Sequence, residues 1–330
     1  MPKKLEIERY RADLAAISDL YKQAQNHNDP FGIFQFAKRK EIITTKLEAL
    51  THCEEKYASV ALFFGGDPVL GSSGISADFS GKILDQFQEI VSGAYATIEG
   101  KLNLAERGKI PLKQSSRLHV TGVTRGSFGF ILDELPKADQ FTETSLKSIT
   151  EEVTKILERT ASPNDFDFEE VVEKLDDRLL GSLKEFFGTL KNSKATMRVV
   201  EDIADFTLDH TSIVRASDRI SSITANDNNI SIRGKFMGLL PVTKKFEFLV
   251  DNMPLITGSV SNEAVSQYNQ MVETGNPLVT GQEWEIYVHK RTIKQLNRPE
   301  KDVYRLLEFT KKIAGENLIE SNDTPIDSTQ

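Results

Sequence analysis

The chain has 330 residues, with 41 lysines and arginines against 49 aspartates and glutamates, a net charge of −8. At 39% hydrophobic and 27% charged residues it has the composition of a globular protein, which excludes a wholly disordered one. The length predicts more than one domain, the single cysteine excludes an internal disulfide, and the acidic balance gives no general attraction to nucleic acid or anionic membrane.

The N-terminal stretch is interrupted by Glu6, Glu8, Arg9, Arg11, Asp13 and Asp19, so it has no apolar signal core. No window approaches the run of about 18 apolar residues that a membrane span needs. A cytoplasmic protein without a membrane partner is the expectation.

Residues 5–25 carry Ile7, Tyr10, Leu14, Ile17 and Tyr21 at helical spacing. The cluster Asn26-His27-Asn28-Asp29-Pro30 breaks that helix, and a second runs over residues 32–55 with Phe36, Ile43, Leu47 and Leu50 on one face. Together they make an αα-hairpin. Residues 57–64 switch to strand alternation and end in Gly65-Gly66-Asp67-Pro68, after which Ser76 or Asp78 caps a helix reaching residue 98. Residues 117–135 read as a β-hairpin turning at Arg125-Gly126.

Residues 142–159 are helical, 166–190 form one or two short helices, 195–200 suit a strand, and 211–223 a helix. The run Asn226-Asp227-Asn228-Asn229 reads as a turn and a domain boundary. Beyond it, residues 230–240, 245–250, 255–260, 278–291 and 303–309 alternate as strands, with a helix over 262–273. The expected fold class is α+β. A helical hairpin (1–56) precedes a mixed α/β body (57–228), a small β-barrel of the OB or SH3-like kind (229–310) and a flexible polar tail (311–330). Residues 136–228 hold 12 basic and 19 acidic groups, so the negative charge is concentrated there.

Candidate chemistry is sparse. The glycine-rich turn between a strand and a helix is where free amides cradle phosphates. Its candidate residues are Gly71, Ser72, Ser73 and Gly74, joined by Arg125 and Ser127 of the neighbouring hairpin. The Walker and dinucleotide patterns both fail, and Lys82 falls well inside the following helix. In the barrel, Lys244, Lys245, Tyr287, His289, Lys290 and Arg291 form a basic, aromatic set of the kind that binds single strands. The acidic run Asp165, Asp167, Glu169 and Glu170 suits a helix N-terminus better than a calcium loop.

No pair among His27, His52, His119, His210 and His289 has metal-ligand spacing, so neither metal nor cofactor is expected. His210, with Glu201, Asp202 and Asp205 nearby in sequence, is a weak acid/base candidate and a better cap. Cys53 lies beside Glu54 and Glu55, which disfavour a thiolate. There is no Gly-x-Ser-x-Gly elbow. The leading expectation is a non-catalytic interaction protein that self-associates or binds a protein partner through hairpin and barrel surfaces. The alternatives are nucleic-acid binding on the barrel and a phosphorylated ligand at the glycine-rich turn.

Overall fold

The computed structural model describes residues 1–52, 55–98, 109–124, 128–136, 142–250, 255–274, 280–293 and 299–312. The chain is α+β and divides into two units, Met1–Ile223 and Thr224–Gln330.

The first unit opens with two long helices, α1 (Lys3–Asn26) and α2 (Pro30–His52). The breaker cluster between them works as its residue types suggest. Asn28 takes a left-handed φ of 50°, and the Asp29 carboxylate accepts hydrogen bonds from the backbone of Phe31 and Gly32 at 3.1 and 3.0 Å. Pro30 then starts α2, where its missing N–H costs nothing. Ile17 and Ala24 of α1 and Gly32 and Ile43 of α2 are buried between the helices. Among the described residues, α2 packs extensively only against α1. The pair is therefore an arm, about 36 Å long by helical rise.

A five-stranded antiparallel sheet forms the body. Its strands are β1 (Ser59–Gly66), β4 (His119–Thr124), β5 (Phe128–Asp133), β6 (Ala195–Glu201) and β7 (Ala204–Leu208), in the order β4-β5-β1-β6-β7. The short pair β2 (Val69–Leu70) and β3 (Gly74–Ile75) forms its own hairpin after β1. Central β1 is buried from Ser59 to Phe64, as expected of a strand covered on both faces.

One face of the sheet is covered by α4 (Ser145–Ala161), α6 (Asp177–Asn192) and α7 (His210–Ser221). Helix α3 (Ala77–Ile98) packs on α4 and α6, and α5 (Asp165–Lys174) packs on α4. On the other face, Met1 and Leu5 at the base of the arm pack against Ala61, Phe63, Ile131 and Val200. The base is also tied by charge. Lys4 pairs with Asp205 at 2.8 Å, and its backbone N–H donates to Asp202 O at 2.9 Å.

Several helix starts follow from caps visible in the sequence. Thr144, Asn164, Asp176 and Asp209 each accept a backbone hydrogen bond at the head of α4, α5, α6 and α7. Asp176 divides residues 166–190 into two helices, and β7 is a strand that the sequence pattern does not announce.

The second unit is a closed barrel of β8 (Ile223–Leu240), β9 (Lys245–Val250), β10 (Ile256–Val260), β11 (Glu283–Ile293) and β12 (Lys301–Lys312), with α8 (Asn262–Glu273) after the third strand. The order β10-β12-β11-β8-β9 pairs the third and fifth strands in parallel. That connectivity, with its inserted helix, is of the OB type. Phe236, Phe246, Phe248, Trp284, Ile286, Val288, Leu306 and Phe309 fill the interior, as their alternation predicts.

One expectation fails here. Asn226–Asn229 is not a turn but part of the 18-residue β8. Turn chemistry at these asparagines is a local preference, and pairing along a neighbouring strand overrides it.

Candidate functional site

The glycine-rich turn is the β2–β3 hairpin. Gly71 takes φ +56°, and Ser73 N–H donates to Leu70 O at 2.9 Å. Gly71, Ser72 and Ser73 are exposed at its tip, and Gly74 is half-buried. An open cleft of about 510 Å³ lies beside the hairpin, but those four residues do not line it. Its walls are Asp67 and Pro68 before the hairpin, Ser76, Asp78, Phe79 and Lys82 at the start of α3, and Thr189, Asn192 and Ser193 at the end of α6.

Lys82, one turn into α3, therefore reaches the cleft despite its distance from the glycines in sequence. Two effects oppose an anion here. Asp67 and Asp78 are negative, and the C-terminal end of α6 directs its own partial negative charge at the same space. The proposed companions Arg125 and Ser127 lie outside the described residues.

The barrel's basic set is dispersed. Lys244, at φ +50°, bonds Asn262 Oδ1 at 2.8 Å, and Lys245 sits half-exposed at the start of β9. Tyr287 is half-buried, while Lys290 pairs with Asp302 at 2.7 Å and lies over the Tyr304 ring. His289 and Arg291 are buried, Arg291 to 3% exposure. Arg291 Nε donates to His289 Nε2 at 3.2 Å, and His289 Nδ1 faces Asn229 Oδ1 at 2.7 Å. Alternation places His289 on the outward side of the strand, where it meets Asn229 of the neighbouring β8. The His289–Asn229 contact links β11 to β8, and Arg291 is bonded to His289 within β11.

A charge cluster that the sequence reading missed lies under the base of the arm. Lys147, in the first turn of α4, is 4% exposed. It meets Glu151 at 2.5 Å, Glu201 at 3.6 Å and Asp202 at 3.7 Å. Burial pushes Glu201 up to about 7, and the ammonium offsets this only in part because it lies closer to Glu151. Burial opposes the Lys147 charge too, but the surrounding carboxylates outweigh it and hold the ammonium above its ordinary value. Asp202 takes φ +46° at the β6–β7 turn, and its Oδ1 is buried without a hydrogen-bond partner.

A carboxyl titrating near neutrality often marks a functional site. At 3% exposure Glu201 is shielded from any substrate, so its titration acts on stability. The only sequence signal was Lys147 standing among Leu146, Ile149 and Thr150 on the inward side of α4.

Asp209, the weak acid/base candidate's neighbour, caps α7 through Ser212 N–H at 2.7 Å, and His210 begins that helix. Among the described residues, no group of three or more histidine, cysteine or acidic side chains is placed to hold a metal ion.

The most distinctive surface is the outer side of α2. Phe31, Phe34 and Ile42 are 75%, 69% and 47% exposed, and with Gln35, Lys38 and Arg39 they line a shallow groove of about 310 Å³. Their spacing of three to four residues aligns them on one helical stripe. The inward stripe of α2, with Gly32 and Ile43, is a separate face.

No protein-family model, curated protein or solved structure matches this chain. Among the described residues, no helix is long and apolar enough to cross a membrane.

Proposed function

We propose that this chain is a non-catalytic cytoplasmic interaction protein whose α1–α2 arm is its main docking surface, with the barrel as a second. One observation carries the reading. Helix α2 buries one face against α1 and leaves Phe31, Phe34 and Ile42 in water on the other. Covering each of those side chains on a partner is favourable by about 1.5–3 kcal/mol. An unpartnered amphipathic face on a projecting arm is a recurrent docking device.

The test is cross-linking mass spectrometry in cells that express the chain. Cross-links from Lys38, Lys40 and Lys46 to a second polypeptide, lost in the Phe31→Glu/Phe34→Glu double variant, support the reading. Cross-links confined to the same chain overturn it.

A second reading, a phosphorylated small molecule in the cleft beside the β2–β3 hairpin, is supported by Ser76 and Lys82 at the start of α3. A thermal-shift screen with nucleotides and phosphosugars tests it. Stabilisation that disappears in Lys82→Ala supports this reading, and a flat response removes it. The nucleic-acid alternative has weaker support, because His289 and Arg291 are buried and Lys290 is paired with Asp302.

A further inference from the structure

We propose that the α2 stripe receives an acidic amphipathic helix of another protein, whose carboxylates pair with Lys38 and Arg39 while its apolar side chains cover Phe31, Phe34 and Ile42. This rests on the docking reading above and names the chemistry of the partner. The argument is the order of charge and apolar surface along the stripe. At about 100° per residue, Phe31, Lys38 and Ile42 stand in one line along α2, with Phe34 on one flank and Gln35 and Arg39 on the other. The two cations fall about 10–12 Å along the helix from Phe31, between the phenylalanines and Ile42. Both are exposed, and the groove they line holds no acid. Among the described residues, the ion pairs within the arm are Arg9–Glu6 and Lys22–Asp19, both in α1, and neither Lys38 nor Arg39 has an acidic partner.

Covering the stripe with an apolar surface alone strips water from two unpaired cations, which is unfavourable. An occupant that brings carboxylates to the middle of the contact replaces that water with charge-assisted hydrogen bonds, bidentate at the Arg39 guanidinium. The same order of side chains disfavours other occupants. A second copy brings its own Lys38 and Arg39 and sets like charges together. A helix lying in a membrane interface keeps its cations on the face away from its apolar side chains. Here a bilayer covering Phe31 and Ile42 must also cover the Lys38 that stands between them. A nucleic-acid strand gains little from two phosphate contacts. The partner is helical because an extended segment laid on α2 finds no strand edge to satisfy its backbone, whereas a helix bonds its own. The contact from Phe31 to Ile42 spans about 16 Å, three turns of such a helix. Its contact face therefore carries apolar residues at both ends and an acidic pair between them.

The probe is a displayed library of helical peptides about 18 residues long, enough to hold a helix. Leucines are fixed at both ends of one face, and the positions between them are randomised. Selection is on the full chain, with counter-selection on Phe31→Ala/Phe34→Ala. Recovered binders should carry Glu or Asp between the leucines. Selection on Lys38→Glu/Arg39→Glu should recover Lys or Arg there instead. Fluorescence anisotropy of a recovered acidic peptide should show at least about tenfold weaker binding to Lys38→Glu/Arg39→Glu, restored when lysines replace the peptide's acids. Circular dichroism of both variants should match the wild type, since all four side chains are exposed.

Binders with no acidic enrichment, or the same binders from the wild type and the charge-reversed chain, overturn the inference and leave the docking reading standing, because the apolar stripe alone is then recognised. Dimerisation in sedimentation equilibrium, or binding to phosphatidylserine vesicles, that is lost in Phe31→Ala/Phe34→Ala assigns the stripe to a second copy or a membrane and also overturns it. If no peptide is enriched, the inference falls, and the cross-links from Lys38 decide the docking reading by themselves.

Discussion

Lys147 and Glu201 meet 3.6 Å apart in the interior, each nearly sealed from water, where the end of β6 passes under the first turn of α4. The pair is unequal. The ammonium lies closer to Glu151, so Glu201 is left under-compensated in a site that disfavours its charge.

This fixes a pH dependence. Burial raises Glu201 from 4.5 to about 7, so the folded protein holds that proton more tightly than the unfolded chain. The associated stability is fully present below about pH 4.5 and is lost as pH rises through about 7, a change of about 3 kcal/mol in order of magnitude. Calorimetric Tm should therefore fall between pH 5 and pH 7.5 in the wild type and fall less in Glu201→Gln. An unchanged slope in the variant would sink the assignment. Asp205 acts in a different window. Hydrogen bonds from Arg198, and then Lys4, hold it at about 2 against the cost of burial. Its contribution is present above about pH 3.8 and disappears as pH falls towards 2.

Removing the cation should be worse than removing one acid. Lys147→Met leaves Glu151, Glu201 and Asp202 without their shared counter-charge, at a cost of about 3–5 kcal/mol. Adding Glu201→Gln should recover part of that loss. Urea denaturation of the two single variants and the double gives the coupling directly, and strict additivity would contradict the shared-site picture.

The arm should loosen independently of the body. Its helices bury Ile17 and Ile43 chiefly against each other, and isolated helix pairs of this length are marginal. Ile17→Ala or Ile43→Ala removes about 2–4 kcal/mol of packing. Hydrogen exchange should accelerate across residues 10–45 and stay unchanged in α3, α4 and β1. Uniform acceleration through the whole first unit would show that arm and body unfold as one.

Two glycines at the proposed ligand turn should differ sharply. Gly66 has φ +86°, and a Cβ there would lie 2.2 Å from the carbonyl oxygen of Lys194. Gly66→Ala should cost about 2–3 kcal/mol or more, because strain and collision add. Gly71 has φ +56° but faces open space, so Gly71→Ala should cost about 1 kcal/mol or less. Paired denaturation curves check the contrast, and equal losses would refute it.

Much of the architecture was legible because its causes are local. Tyr10, Leu14, Ile17 and Tyr21 recur at helical spacing, Thr144 and Asp209 are competent caps, and Phe246, Phe248, Trp284 and Ile286 alternate as barrel interior. The candidate sites were less legible. Lys82 lines the cleft with residues of α3 and α6, while Gly71 and Gly74 of the glycine-rich turn do not line it. His289 and Arg291 alternate with core residues yet are buried, and Asn229, about 60 positions earlier on β8, meets His289 there.

The sequence by itself therefore determined the hairpin, the β-rich C-terminal part and the helix starts, since these depend on neighbours within a few positions. The tertiary structure decided the sheet order around β1, the OB-type closure of the barrel and the meeting of Lys147 with Glu201. It also decided which of the two stripes on α2 is covered. Those outcomes depend on residues tens of positions apart, where burial and charge are set by what packs opposite. A one-dimensional pattern gives the faces of each element but not the identity of what each face meets.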